Sequence, residues 1–178
     1  MPLSLEEMRA IGPFAGWLQR SIVHLKYHGE WARAHHLGEV LAEAISGTDL
    51  RACDAVVPVP LHPRRLQARG YNQTELLARR AAALSGLPLL SVLWRVRDTD
   101  RQVGSTIAQR HANVANAFRA DARACEGRRL LIVDDVLTTG ATLASCAEAV
   151  QAAGAISVSV LTLARQMPAP SSRAVPDR

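Results

Sequence analysis

The sequence predicts an α/β fold: a parallel twisted sheet with helices on both faces and an N-terminal helical cap. After residue 50, strand-like and helix-like segments alternate, and each strand candidate is apolar on both faces, as in sheets covered on both sides. Before residue 50, two helical patterns occur without a strand. We expect the cap over residues 1–50, the core over 51–165 and a disordered tail over 166–178, where Pro, Ser and Arg dominate.

The expected cap consists of two amphipathic helices between Gly16 and Ser46, separated at Gly29. Because apolar residues recur at helical spacing, one face of each helix should be buried. Those residues are Trp17, Leu18, Ile22 and Leu25 in the first helix and Leu37, Val40, Leu41 and Ile45 in the second.

The expected core begins with a short buried strand from Ala55 to Val59. It must end near Pro58 and Pro60, because proline has no backbone N–H to donate to a neighbouring strand. The later elements are a helix over 72–86 that stops at Gly86, a strand within 87–97, a short strand near Phe118, a strand from Leu130 to Asp134, a helix from Ala141 to Ala153 closed by Gly154, and a strand over 156–164.

Composition limits the classes of function. Lys and Arg exceed Asp and Glu by 21 to 16, for a net charge of +5, and Lys26 is the only lysine. Arginine binds carboxylates and phosphates through paired hydrogen bonds, so an anionic partner is indicated, unless codon usage alone explains the balance. No apolar run approaches the roughly 20 residues that span a bilayer, and no signal sequence is evident. We expect a cytoplasmic protein without membrane insertion and, since the cysteines and histidines lack ligand spacing, without a metal site built from protein alone.

The segment DDVLTTGAT, residues 134–142, follows a strand candidate and opens a helix. Backbone N–H groups at a helix start, helped by the helix dipole, form a cradle for a phosphate. Asp134 and Asp135 would repel phosphate, but they suit the vicinal hydroxyls of a sugar or a bridging cation. The segment therefore predicts a sugar-phosphate site. The alternative is that the aspartates end a strand and the Thr and Gly residues only cap a helix. A nucleoside-triphosphate loop is excluded, because GxxxxGK[ST] is absent.

The longer stretch LLIVDDVLTTGATL, residues 130–143, resembles the phosphoribosyl pyrophosphate (PRPP) signature of type I phosphoribosyltransferases. The resemblance implies that Asp134 and Asp135 bind the ribose hydroxyls and serve catalysis. It also implies that the following loop binds the 5′-phosphate. That loop comprises Val136, Leu137, Thr138, Thr139, Gly140, Ala141 and Thr142.

Other motifs resemble the ComF family, competence-associated proteins on the same fold. The matching residues are Val57 to Leu61, then Arg69, Gly70, Tyr71, Asn72 and Gln73, then Arg97, Thr99 and Gln102, and finally Arg110 and Asn113. The resemblance covers about residues 15–165. Many ComF proteins begin with a four-cysteine zinc module, which this sequence does not contain; we expect either a member without it or an internal start.

The ComF resemblance implies a second binding segment, after the first core strand. It would hold the diphosphate leaving group, with Mg²⁺ brought in by PRPP, through Pro58, Val59, Pro60, Leu61, Arg64, Arg65 and Arg69. The arginines are equally consistent with an exposed helix start. Tyr71 is either a stacking surface or a core aromatic, and Asn72 and Gln73 either border this segment or simply begin the next helix.

The polar stretch from Arg97 to Arg110 is typical of a mobile lid beside a site. In the resemblance such a loop closes over PRPP and excludes water, with Arg97, Gln102 and Arg110 as candidates and Arg97 and Gln102 as catalytic ones; Asn113 is a further loop residue of the matching motif. A solvated hairpin tip is the alternative.

Two functions fit these motifs. The first is transfer of a phosphoribosyl group with release of diphosphate, in a competence or DNA-uptake context. Trp17, Tyr27, His28 and Trp31 of the cap are weak candidates for the acceptor pocket, since Trp17 also fits a buried stripe. The second is a non-catalytic PRPP or nucleotide sensor, or an accessory protein that binds single-stranded DNA or DNA-uptake proteins. Single-strand binders interleave aromatic and basic residues, and the few aromatics argue against that function. Oligomeric state is left open.

Overall fold

The computed structural model describes residues 5–97 and 116–167. At its centre lies a sheet of four parallel strands in the order β1-β6-β5-β2. The strands are β1 (Leu5–Pro13), β2 (Ala55–Pro58), β5 (Arg129–Leu137) and β6 (Ser157–Arg165). Their apolar side chains alternate between the two faces, so that Leu131 and Val133 of β5 enter one core and Leu130 and Ile132 enter another.

Three helices cover one face of the sheet, and we call them the three-helix layer: α1 (Gly16–Tyr27), α2 (Arg33–Ser46) and α4 (Gln73–Ser85). Ile22, Leu41 and Leu77 are fully buried in the core that they share with the sheet. A short 3₁₀ helix, Asp49–Ala52, leads from α2 into β2, and α3 (Pro63–Arg69) precedes α4.

The opposite face carries what we call the second layer. It comprises helix α6 (Ala141–Ala152), the short helix α5 (Ala122–Cys125) and a separate two-stranded antiparallel sheet of β3 (Leu93–Arg95) and β4 (Phe118–Ala120). Phe118, Leu143 and Cys146 fill the core between this layer and the sheet.

The predicted fold class is confirmed, since a parallel sheet carries helices on both faces. The predicted helix ends are also close to the observed ones. Gly86 follows α4 with φ of 74° and Gly154 lies two residues beyond α6 with φ of 95°, in the left-handed region that glycine adopts without strain.

The expectation that two helices come before any strand is wrong, although both helices, α1 and α2, are present between Gly16 and Ser46. Leu5–Pro13 is a strand, and it pairs in parallel with β6, with Ala10 opposite Thr162. Its sequence, LEEMRAIGP, contains one β-branched residue and three charges, so its own residues do not favour a strand. Helices α1 and α2 share their core with the sheet, so they form part of one layer and no separate unit.

Three smaller expectations also need correction. Within 87–97 only Leu93–Arg95 is a strand, and it pairs antiparallel with β4 outside the parallel sheet; Leu89 makes a single bridge to Val56. Strand β5 continues past Asp134 to Leu137. Trp17 is exposed at 58% of its surface rather than buried. The tail from 168 and residues 98–115, which include all of the expected lid except Arg97, lie outside the described residues.

Within the described ranges, none of the helices has the length and apolar character that a membrane span requires.

Candidate functional site

The two unusual segments of the sequence meet at the carboxyl edge of the sheet, because β2 and β5 are neighbours. Pro58 pairs with Val133, and the backbone N–H of Val59 donates to the carbonyl of Val133 at 3.0 Å. The residues that follow β2 therefore lie beside Asp134 and Asp135.

Asp135 is buried, with 3% of its surface exposed. Its Oδ1 lies 2.7 Å from the ammonium Nζ of Lys26 on α1, and its Oδ2 accepts a hydrogen bond of 2.8 Å from Nε2 of Gln73 on α4. Both oxygens are thus engaged by the three-helix layer, and the lysine offsets the charge of a carboxylate that would be costly to bury alone.

Asp134 has a different environment. It is half-buried, and its Oδ1 accepts hydrogen bonds from the Thr74 hydroxyl at 3.3 Å and from the backbone N–H of Asp135 at 2.8 Å. Burial and then the negative charge of Asp135 raise the pKa of Asp134 from 3.8 to about 7, while Lys26 acts in the opposite direction. Asp134 therefore changes its charge near neutral pH.

Sequence analysis missed Lys26 as a site residue. A signal was available: the only lysine of the chain follows Leu25 and lies one turn after Ile22, on the buried side of an apolar stripe. A lysine at such a position needs a buried anionic partner.

The turn after β5 presents polar groups to solvent at the start of α6. Thr138 is exposed, and Thr139, Gly140 and Thr142 are half-buried. Gly140 is the N-cap of α6 with φ of 78°, and the Thr139 hydroxyl oxygen accepts from the backbone N–H of Ala141 at 3.5 Å. The first turn of α6 carries no acidic side chain, so the positive end of its dipole is not neutralised locally.

A cavity of about 540 Å³ adjoins this turn on the side away from β2. It lies between the turn and the ends of β1 and β6, and Asp134 and Asp135 do not line it. Because β1 was not anticipated, this cavity was not predicted. It is lined by Met8, Ala10, Gly12, Pro13, Leu137, Thr138, Thr139, Gly140, Arg165 and Met167.

The predicted diphosphate segment is buried at Pro58, the last residue of β2, and at Val59, and it is half-buried at Pro60 and Leu61. It then enters α3, on which Arg64 is exposed and Arg65 is half-buried.

Arg69, at the end of α3, is already engaged within the chain. Its Nη1 donates to Oε1 of Gln73, and its guanidinium lies 5.4 Å from the centre of the Tyr27 ring. Gln73 therefore links Arg69 to Asp135.

Tyr71 and Asn72 make contacts that hold elements together. The Tyr71 hydroxyl donates to the carbonyl of Leu25. Asn72 donates from Nδ2 to the carbonyl of Val59 at 3.1 Å and caps α4 by accepting from the N–H of Thr74 at 3.1 Å. These bonds fix the start of α4, from which Gln73 and Thr74 reach the two aspartates.

The expected lid is described only at its first residue. Arg97 is exposed, and its carbonyl accepts a hydrogen bond from Nε of Arg95 at 3.2 Å. Gln102, Arg110 and Asn113 lie outside the described residues.

The outer face of α1 and the turn after it expose three aromatic side chains: Trp17 at 58%, Tyr27 at 62% and Trp31 at 64%. Arg20 is exposed among them, and the rings of His24 and His28 lie 4.6 Å apart. Positions 17, 20, 24 and 27 recur at helical spacing, so aromatic and basic groups share one face of α1, and Trp31 lies four residues beyond the end of that helix. We call this the aromatic face.

Comparison with known proteins gives consistent results. The family profile of the phosphoribosyl transferase domain matches residues 74–177. Competence protein F of Haemophilus influenzae is 31% identical over 169 residues, which cover 91% of this chain and 74% of that protein. DNA utilization protein YhgH of Salmonella typhimurium is 39% identical over 132 residues, which cover 74% of this chain. The chain spans only 57% of the length of that relative.

Among solved structures, glutamine PRPP amidotransferase from B. subtilis, complexed with ADP and GMP, aligns with a TM-score of 0.50 and 25% identity. The alignment covers 72% of this chain and 25% of that one. The sheet and its covering helices are therefore an arrangement that this larger enzyme also contains.

Proposed function

The chain belongs to the ComF family of competence proteins and carries their phosphoribosyl transferase domain, and from that premise we propose that it binds PRPP with Mg²⁺ and transfers the phosphoribosyl group with release of diphosphate. The observation that carries the proposal is the pairing, at one end of β5, of a half-buried carboxylate with a glycine turn into a helix start.

The two parts of this pairing suit the two ends of a ribose phosphate. Asp134, when ionised, accepts hydrogen bonds from vicinal hydroxyls. The hydroxyls of Thr138 and Thr142 and the N–H groups at the start of α6 suit a phosphate, and the half-buried Gly140 has no side chain to obstruct it. Asp134 lies four positions before Thr138, where the cradle begins, and the chain between them is strand, so the carboxylate and the phosphate need not meet.

The leaving diphosphate would lie beside the segment after β2, where Arg64 and Arg65 supply guanidinium groups. Positive groups placed where negative charge develops stabilise the transition state. Arg97, Gln102, Arg110 and Asn113 remain candidates for a loop that shields the reaction from water.

The donor set fits Mg²⁺ carried by the ligand. Mg²⁺ prefers oxygen ligands and is commonly bound through one or two carboxylates together with substrate phosphates. Lys26 and Gln73 engage Asp135, which leaves Asp134 as the carboxylate near the reacting end of the sheet. When bound, the ion would neutralise charge on the diphosphate.

A cytoplasmic location is part of the proposal. Cys53, Cys125 and Cys146 are all buried and unpaired, as is usual for proteins of the reducing cytoplasm.

Isothermal titration calorimetry with PRPP and Mg²⁺ tests the binding step. We expect Asp134→Asn to weaken binding by about 100-fold, since it replaces a carboxylate that accepts two charge-assisted hydrogen bonds by an amide with one neutral acceptor oxygen. Arg79→Met, which removes an exposed cation from the outer side of α4, is the matched control and should bind as the wild type does. If titration of the wild type with PRPP and Mg²⁺ gives no heat of binding, the assignment of PRPP as the ligand is wrong.

Diphosphate release measured with a panel of nucleobases then separates catalysis from sensing. Release that depends on one base supports the transferase and identifies its acceptor. Binding of PRPP without release under any condition supports a PRPP or nucleotide sensor.

The aromatic face favours a second candidate function, the binding of single-stranded DNA. Exposed Trp17, Tyr27 and Trp31 offer stacking surfaces, and Arg20 and Arg69 lie among or over them. Unpaired bases stack on such rings while the basic groups contact the backbone. Relatives named for competence and DNA utilization make this partner pertinent.

Oligonucleotide affinity measured against salt tests this candidate. We expect affinity to fall steeply as salt rises, because phosphate contacts release counterions. The single substitutions Trp17→Ala and Trp31→Ala should each weaken oligonucleotide binding by about 1–3 kcal/mol. Trp94→Ala, at an exposed ring on β3, is the matched control. A flat salt response, or equal losses with Trp94→Ala, would rule out this face.

A further inference from the structure

Asp134 and Asp135 are adjacent in the sequence, yet their partners differ in kind. The two oxygens of Asp135 are held by the ammonium of Lys26 at 2.7 Å and the amide of Gln73 at 2.8 Å. Lys26 is itself largely enclosed, with 11% of its side chain exposed. The resemblance to phosphoribosyltransferases assigns both carboxylates to the ribose, but the buried one is already occupied by protein.

We propose that Lys26 is a positioning residue of the ribose site. Lys26 pairs with the buried carboxylate of Asp135, which thereby links α1 and α4 to β5. Asp134 is then the carboxylate that accepts hydrogen bonds from the ribose hydroxyls. This inference rests on the proposed function and refines it, because it divides between two neighbours a role that the motif assigns to both.

The geometry explains why the position of Lys26 matters to a site it does not touch. Lys26 belongs to α1 and Gln73 to the start of α4, so Asp135 ties two helices of the three-helix layer to the end of β5. Gln73 also accepts from Arg69, which brings the end of α3 into the same network. Loss of the lysine would leave an uncompensated charge under the strand that carries Asp134.

The electrostatics give the inference a distinctive signature. Asp135 raises and Lys26 lowers the pKa of Asp134, and Asp135 acts more strongly. The other groups around Asp134 are the hydroxyl of Thr74 on α4 and the thiol of Cys146 on α6, which also feels Arg95 of β3. Burial raises the pKa of Cys146 well above its usual value, so this thiol stays neutral and does not titrate in the same range.

The experiment compares Lys26→Met, Lys26→Arg, Asp135→Asn, Asp134→Asn and the double variant Lys26→Met/Asp135→Asn with the wild type. Thermal melts check folding. Calorimetry with PRPP and Mg²⁺ then measures affinity at several pH values on either side of about 7, where Asp134 titrates. Arg79→Met, at an exposed ion pair with Glu75, controls for loss of a cation from the surface of this layer.

We expect Lys26→Met to weaken PRPP binding by about tenfold and to move the pH midpoint of binding upward. Asp135→Asn should move the midpoint downward and keep measurable binding, whereas Asp134→Asn should lose far more. The double variant should bind better than Lys26→Met, because no charge is left unpaired, with a midpoint between those of Asp135→Asn and the wild type. Lys26→Arg should recover part of the affinity.

Each contrary outcome has one meaning. No heat with the wild type overturns the proposed function and the inference with it. Heat with the wild type, together with an unchanged affinity and midpoint in Lys26→Met, overturns the inference alone. So does a loss in Asp135→Asn as large as in Asp134→Asn, which would mean that both carboxylates bind the diol. If Lys26→Met does not fold, the midpoint of the double variant decides: a midpoint equal to or above that of the wild type overturns the inference.

Discussion

The three-helix layer and the second layer cover opposite faces of one sheet, and they meet its carboxyl edge with different chemistry. The three-helix layer sends Lys26, Gln73 and Thr74 to the two aspartates. The second layer meets the sheet with apolar side chains and the thiol of Cys146, and its contribution at the edge is the backbone turn at Gly140. One layer thus tunes the carboxylates through side chains, while the other offers main-chain N–H groups at a helix start, which we propose bind a phosphate, and the candidate site lies where the two layers join.

The largest effect is expected from removing the positive charge that the three-helix layer supplies to Asp135. Lys26→Met leaves Asp135 buried without its counter-charge, so we expect a loss of about 3–5 kcal/mol in the free energy of unfolding. Arg79→Met, at the exposed pair with Glu75, should change it by at most about 1 kcal/mol. Urea denaturation measures both; equal losses would show that the buried pair has no special role.

The pH dependence of stability tests the half-buried carboxylate. Because the pKa of Asp134 is about 7 in the folded protein and near 3.8 when unfolded, the folded state holds a proton that the unfolded state has lost between these values. Stability should therefore fall as pH rises from about 4 to about 7, by roughly 2–4 kcal/mol from this group. Denaturation of the wild type and of Asp134→Asn across this range isolates the effect. The variant should lack this part of the slope; identical slopes would place the carboxylate in an ordinary environment.

A steric change within the three-helix layer should have a smaller effect. A Cβ at Gly38 of α2 would lie 2.5 Å from Cβ of Arg80 on α4, closer than real side chains approach. We expect Gly38→Ala to cost about 1–3 kcal/mol, because the two helices must separate. Gly12→Ala is the control, since its Cβ would meet Leu18 at an ordinary 3.6 Å. Thermal denaturation of both variants makes the measurement, and equal stabilities would mean that the α2–α4 contact yields without cost.

The smallest effect belongs to the second layer. Cys146→Ala removes a buried thiol that packs as a small apolar group, so we expect a loss of about 1 kcal/mol of stability and no change in its pH dependence. A change in the pH slope as large as that of Asp134→Asn would show that this layer also tunes the carboxylate.

Much of the fold was predictable because its signals are local. Strand β2 and the first half of β5 are apolar runs, β6 is rich in Val and Leu, and α4 and α6 end near glycines with positive φ. Strand β1 was not predictable in this way. Its charged sequence forms a strand because the edge of β6 supplies hydrogen-bond partners, and that edge exists only in the assembled sheet.

The candidate site divides along the same line. The segment from Asp134 to Thr142 could be proposed as a binding site from its residues alone, since acidic groups followed by Thr and Gly suit a sugar phosphate. The exposure of Trp17 could not be predicted from the sequence, because helical spacing identifies an apolar stripe but does not show which edge of the stripe faces solvent.

Short stretches of the sequence were enough to predict the alternation of strands and helices, the two loops at the strand ends and the protein family, because each of these depends on residues close together in the chain. The contact between Lys26 and Asp135, which are 109 positions apart in the chain, depends on the tertiary structure. So do the half-burial of Asp134 and its pKa of about 7. Burial and ion pairing arise only when helices and strands pack together in space. Two adjacent residues of the same type, Asp134 and Asp135, therefore have different environments.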